Sequence, residues 1–312
     1  MIRTSRLAVD LPIAPVFGVS RRGQTLSYNR APAPDLADWV ARLSVTRLLL
    51  APGESISCGL FADSAGIRVQ LAGKFTADTR DGRRQFGRGA LFCGPQSRLM
   101  PVQVEDEFIS IGMSFRPSAW PALIPVPTAD LIDEVTETQE WSPEMLVSLF
   151  DPEGTPEEWL LAFEALFRSW LATYTGPGPS AVSARFEEIA FTNPAQSIAQ
   201  AAREIDVDRR RLERLVLRDF GMPPKQVLKR ARALDMASHL RGVADSDEAE
   251  SLTLRYYDES HLIREFIELF GMSPRQFGAL PQPLLTINLE IRQARRLEMI
   301  RRLEPGARRP WE

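Results

Sequence analysis

Arg209, Arg210 and Arg214, with Glu213 among them, form the stretch of this sequence best suited to recognition chemistry. A guanidinium forks onto two acceptors at once, so it fits the O6 and N7 of guanine or a phosphate. A glutamate can accept from the N4 amine of cytosine. Further along, Glu259, Ser260, His261 and Arg264 occupy a comparable stretch. Reactive chemistry is scarce elsewhere. The two histidines are His239 and His261, so residues 1–193 contain none. A Ser-His-Asp or Cys-His nucleophile would lack its base there, and a metal-binding barrel would lack its imidazoles. Cys58 and Cys93 are too few for a disulfide scaffold or a zinc-holding cysteine cluster. For these two, burial as small hydrophobes stands against a thiol sensor. The expectation is a non-enzyme with no metal and no cofactor.

With 312 residues, 44% hydrophobic and 25% charged, the chain reads as folded and soluble, with two domains. No apolar run approaches the ~20 residues that span a bilayer. Met1 to Asp10 lack the basic-then-apolar layout of a secretory signal, so a cytoplasmic protein without a membrane partner is expected. The net charge of −3 is unevenly spread. Residues 1–193 carry 17 Lys and Arg against 23 Asp and Glu, whereas residues 194–312 carry 21 against 18. An acidic half joined to a basic one suggests that only the second meets phosphates.

The basic half contains an internal repeat. Asp208, Leu212, Arg214, Phe220, Gly221, Met222, Pro224 and Gln226 recur 50 residues later as Asp258, Leu262, Arg264, Phe270, Gly271, Met272, Pro274 and Gln276. Eight identities at one offset, Phe-Gly-Met included, are a poor match to coincidence. Each copy has the signals of a helix: an Asp N-cap, an apolar stripe, a glycine where a left-handed cap is wanted, and a proline opening the next segment. The stripes are Leu212, Leu215, Val216 and Phe220, then Leu262, Phe266, Leu269 and Phe270. Ahead of the first copy, Asn193-Pro194 is expected to start a short helix carrying Ile198, Ala199, Ala202 and Ile205. Val227, Leu228, Ala231, Leu234, Ala237 and Leu240 predict a stiff linking helix between copies. Helix, short turn, helix with a small residue at the crossing is a helix-turn-helix layout, and a spacing of about 34 Å would set two of them in successive major-groove turns.

Over residues 181–278 the sequence resembles the AraC/XylS family of bacterial regulators. The likeness is clearest at Asp258-Glu-Ser260-His261-Leu262-Ile-Arg264-Glu-Phe266 and Gly271-Met-Ser-Pro274, with Leu212, Arg214, Phe220, Gly221, Pro224, Arg232, Ala237 and Leu240 matching elsewhere. The resemblance implies a sequence-specific regulator bound to double-stranded DNA, with Arg210, Glu213 and Arg214 reading bases in the first unit. Glu259, Ser260 and Arg264 would read them in the second, and RNA polymerase would be a partner if the protein is an activator. The sequence departs from the family where glycine is usual in the helix-helix turns: here stand Asp206 and Arg255 or Tyr256. Leu252 replaces the small residue that Ala202 supplies in the first unit, behind an acidic stretch from Asp245 to Glu248. A protein that binds an effector or serves as scaffold, its second unit no longer reading DNA, is the alternative.

The N-terminal half alternates in the period-2 sense over Ile67–Leu71 and Phe108–Phe115, with glycines dividing short strands. A small barrel or sandwich closes such strands. Helices are expected over Ser142–Phe150 and Thr155–Thr173, the latter with Trp159, Phe163, Leu166, Phe167 and Trp170 on one stripe, as core or as a dimer seam. Gly112 to Pro117 and Ala129 to Asp133 resemble the cupin-like sensor domain of some family members, which implies a small-molecule effector or a homodimer. Thr175 to Pro179 reads as a linker. The fold class is therefore α+β: a β-rich sensor over 1–176, tandem helix-turn-helix units over 181–280, and an amphipathic helical extension over 281–312. That extension, Leu284 to Leu303, is expected to pack Leu285, Leu289, Ala294 and Leu297 inward and leave a solvated basic side of Arg292, Arg295, Arg296, Arg301 and Arg302.

Overall fold

A computed structural model describes residues 8–10, 13–123, 126–138, 141–245 and 259–312. Among the described residues the N-terminal half is a nine-stranded antiparallel sheet, with the short strands β1 (Ala14–Pro15), β2 (Tyr28–Arg30) and β9 (Val135–Glu137) at its edges. Its frame is two long strands, β5 (Gly66–Thr79) and β8 (Met100–Phe115). β8 pairs with β3 (Val40–Leu49) along its second half and with β4 (Ser55–Leu60) along its first. β5 pairs likewise with β7 (Gly89–Cys93) and then β6 (Gly82–Phe86). Register shifts at Gln70/Ala72 and Ala72/Lys74 bend the β5–β8 pair, as extra residues in one strand do.

The bend lets one sheet feed two cores. Ile67 and Val69 of β5, with Ile111, Met113 and Phe115 of β8, pack against helices Pro143–Ser148 and Pro156–Thr173. Phe75 and Ala77, with Val102, Val104 and Phe108, form the second core, which Leu284 and Ile287 complete from the far end of the chain. Both helices start one residue later than expected, with Ser142 and Thr155 serving as their N-caps, and the first ends at Ser148 rather than Phe150. Trp159, Phe163 and Phe167 of the aromatic stripe are buried in the first core. Two thiols that were sensor candidates are buried as well, and burial pushes Cys58 up to about 12.

The C-terminal half is helical. Ala181–Thr192 leads, then Ile198–Ile205, the first repeat helix Arg209–Phe220, the linking helix Pro224–Arg241, the second repeat helix Glu259–Phe270, Pro274–Ala279 and the C-terminal helix Pro283–Met299. Each apolar stripe read from the repeat is buried except Leu215, which is half-buried, and all six marker residues of the linking helix are buried. Two local expectations need correction. Asn193 caps the end of the preceding helix, whose next partner starts at Ser197 with a Ser197–Gln200 capping box. Ala199 is exposed, and Ala201 takes its place beside Ala202 in the core.

The extension also differs from expectation. Its apolar side is inward, but Arg292 and Arg296 are buried too, because the helix is covered on more than one face. Leu285, Leu289 and Leu297 join the core of the linking and second repeat helices, while Leu284 and Ile287 join that of the sheet. Arg292 donates to Asp63 of the sheet domain at 3.1 Å and to Asp235 of the linking helix. Arg296 donates to the Phe191 carbonyl at 2.7 Å, and Arg295 to Glu187 at 2.7 Å. Only Arg301 and Arg302 of the five stay exposed.

Candidate nucleic-acid interface

In the first unit the recognition stretch is helical because its ends are fixed. The Asp208 carboxylate accepts from the Arg211 N–H at 2.9 Å, and Gly221 closes the far end in the left-handed region at φ 70°. Asp206 makes the turn before it with φ 59°, a conformation Asp tolerates through its short polar side chain. Leu212, Val216 and Phe220 anchor the inner face, and the buried Asp219 accepts from the Ser183 hydroxyl behind it. Arg210 and Arg214, four residues apart, therefore project together from the opposite face, and both are exposed. Neither makes an ion pair among the described residues. Arg209 does: it donates to Glu213 at 2.8 Å, so two of the expected readers hold each other.

The second unit is placed by the linking helix. Arg232 forks onto Glu265 at 2.6 and 3.0 Å and reaches the Pro194 carbonyl at 2.9 Å, tying both units to one side chain. Ser260 and Arg264 are exposed on the outer face, and Arg264 makes no ion pair among the described residues. His261 lies 3.2 Å from Glu265, on a flank of the helix rather than its outer stripe. Glu259 opens the helix. Asp258, Arg255, Tyr256, Leu252 and the stretch Ser246 to Glu248 lie outside the described residues, as does the helix expected to support this unit.

Sequence reasoning missed what holds the two units in place. Three loops of the sheet domain form one platform beneath them. The Gln96 side chain bridges from the Ala62 N–H (2.5 Å) to the Gly94 carbonyl (2.7 Å), and Asp133 accepts from both the N–H (2.8 Å) and hydroxyl (2.5 Å) of Ser97. Arg230 of the linking helix, fully buried, donates to the Gln96 carbonyl at 2.9 Å and the Asp63 carbonyl at 2.8 Å. Burial brings its guanidinium down to about 10, still protonated at neutral pH. Each recognition helix rests its C-terminal corner on this platform. The Leu99 N–H donates to the Leu269 carbonyl at 2.8 Å, and Phe61 meets Phe270 edge-on at 5.3 Å. At the other corner, a Cβ on Gly221 would sit 2.9 Å from the Thr128 carbonyl oxygen and 2.9 Å from Ile132.

The two corner glycines thus differ in what they tolerate. Gly271 has φ 68° but open space around it. Gly271→Ala is expected to cost roughly 1–2 kcal/mol, the left-handed penalty alone. Gly221→Ala adds an overlap with backbone that cannot swing away, so its loss in urea unfolding should be clearly larger. Equal losses would contradict the packing of Thr128 on that corner.

Residues 201–279 match the family model described as a helix-turn-helix domain, and all but the last of them lie in the stretch that carries the resemblance drawn from sequence. The C-terminal part of the chain is a helix-turn-helix domain. Both repeat helices fall within it. Among solved structures, ToxT from Vibrio cholerae is similar at 11% identity, over 76% of this chain and 96% of that one, with a TM-score of 0.43. The AraC-like transcriptional activator CuxR is similar at 14% identity over 61% and 80%, with a TM-score of 0.30. A cupin superfamily protein from Desulfitobacterium hafniense is similar at 15% identity over 36% and 97%, with a TM-score of 0.22. No curated protein matches the chain. Among the described residues, no helix is long and apolar enough to cross a membrane, and no group of three or more His, Cys, Asp or Glu could hold a metal ion.

Proposed function

We propose that this protein is a sequence-specific transcription regulator that places both recognition helices in the major groove of double-stranded DNA. The observation that carries it is the set of exposed arginines, Arg210, Arg214 and Arg264, that make no ion pair among the described residues, on the outer faces of two helices related by the repeat. A guanidinium without a carboxylate partner is free for guanine or phosphate. Glu213 and Ser260 complete the reading surface with His261 on its flank, Glu259 is carried over from the sequence repeat alone, and Arg209 joins by exchanging Glu213 for a phosphate. Random-duplex selection with the full chain should enrich a motif of two blocks about one helical turn apart. Sequence-blind, salt-sensitive binding alone would sink the reading.

Control by a small anionic effector goes with it. A cavity of about 50 Å³ lies where the sheet, helix Ala181–Thr192 and the C-terminal helix meet, lined by Phe61, Arg68, Phe191, Arg292 and Arg295. Arg68 has a single neutral partner, Asn288 at 3.3 Å, and makes no ion pair among the described residues. The space suits a carboxylate-sized group, roughly three or four waters in volume. Small carboxylates and phosphates that raise the melting temperature of the native chain, and fail to do so for Arg68→Ala, would support this; no shift with any of them would remove it. Homodimerisation through the sheet half and cytoplasmic action, with RNA polymerase as a partner for an activator, belong to the same proposal. Sedimentation of the full chain as a monomer at micromolar concentration would remove the dimer.

A further inference from the structure

Leu217 and Ile267 are out of place for large apolar side chains. They are 47% and 42% exposed, in a chain whose apolar residues are otherwise mostly inside. A single exposed leucine needs no explanation. These two, however, stand at the same point of the repeat, 50 residues apart, although the residue types differ. Both lie on the outer stripe. Leu217 follows Arg210 by seven residues and Arg214 by three, and Ile267 follows Ser260 and Arg264 in the same way. Spacings of three and seven keep side chains on one face, so each helix presents a polar reader, an arginine and then an apolar group in line. The apolar group sits about 4.5 Å beyond the arginine along the axis, somewhat more than the ~3.4 Å rise between stacked base pairs, so the two side chains reach neighbouring pairs rather than the same one.

Within the major groove the base edges offer one apolar feature, the C5 methyl of thymine. We infer that Leu217 and Ile267 are specificity residues that each cover a thymine methyl next to the base read by Arg214 or Arg264. The inference rests on the DNA-reading function proposed above and extends it: one half-site block would combine guanine, recognised by the guanidinium, with an adjoining thymine recognised by shape and hydrophobicity. Burying a methyl against a leucine removes both surfaces from water, and removing one such methyl changes affinity about fourfold.

The test uses the full chain on its selected duplex, with each thymine replaced in turn by deoxyuridine, which deletes only the methyl. The native protein should lose about fourfold at one thymine in each block. Leu217→Ala should lose a similar factor on the unmodified duplex and then be indifferent to deoxyuridine in the first block, while staying sensitive in the second; Ile267→Ala should show the converse. In a repeated selection, Leu217→Gln should no longer enrich thymine at that position. Both side chains are exposed, so these variants keep their cores. A motif that is enriched yet shows no deoxyuridine effect at any position overturns this inference and leaves the regulator reading standing. Additive losses from Leu217→Ala and deoxyuridine overturn it too, because they would show that the side chain and the methyl do not touch. Absence of any enriched motif removes both readings together.

Discussion

Replacing Arg292 with methionine is expected to destabilise the native chain by ~3–5 kcal/mol in urea unfolding. The guanidinium is almost wholly buried between Asp63 of the sheet domain and Asp235 of the linking helix, and Asp235 has no access to solvent at all. Burial by itself would push Arg292 down. The carboxylates of Asp235 and Asp63 outweigh that and hold it above its ordinary value. The loss therefore comes less from forfeited attraction than from the stranded Asp235 charge. Arg292→Met combined with Asp235→Leu should regain most of the loss, since the carboxylate left behind, that of Asp63, is partly exposed to solvent. A double variant as unstable as the single one would show that the pair is not the source of the effect.

The second large effect concerns DNA. Arg210→Ala and Arg214→Ala should each weaken binding to the selected site by ~1–3 kcal/mol if the side chain reads a base. Filter binding or fluorescence anisotropy at fixed salt would measure it, and folding should be untouched because both side chains lie in solvent. Arg209→Ala should cost less, since Arg209 must first give up Glu213. A base reader also relaxes preference at one position, whereas a phosphate contact weakens all sequences alike and lowers the salt dependence. Unchanged affinity in both the Arg210 and the Arg214 variant would refute the assignment.

What could be read from the sequence were the features set by local spacing. The cap at Asp208, the helices opening near Ser142 and Thr155, corner glycines at 221 and 271, and buried faces of the repeat helices all follow from neighbours within a few turns. Contacts between residues distant in the chain were not legible. Arg230 reaching the Gln96 and Asp63 carbonyls, or Leu99 capping Leu269, leaves no mark in any window of sequence. Periodicity failed for the C-terminal helix for a related reason. It identifies the most apolar face, but a helix covered on several sides must also bury polar ones, and there Arg292 and Arg296 went inside with partners supplied from elsewhere. Helix Ala181–Thr192 escaped notice because its inner face mixes Phe186 and Ile189 with Ser183 and Glu187, both buried against charged or polar partners.

The platform of loops around Ala62, Gln96 and Asp133 has a mechanical consequence. The two halves of the chain are registered by surfaces, so the exposed Thr175–Gly178 run serves only as a tether. Lengthening it should change little, for a slack string between two bolted plates transmits no load. A shift of the platform itself would instead tilt both corners at once, so a signal arising in the sheet would reach the two readers as a single rigid movement.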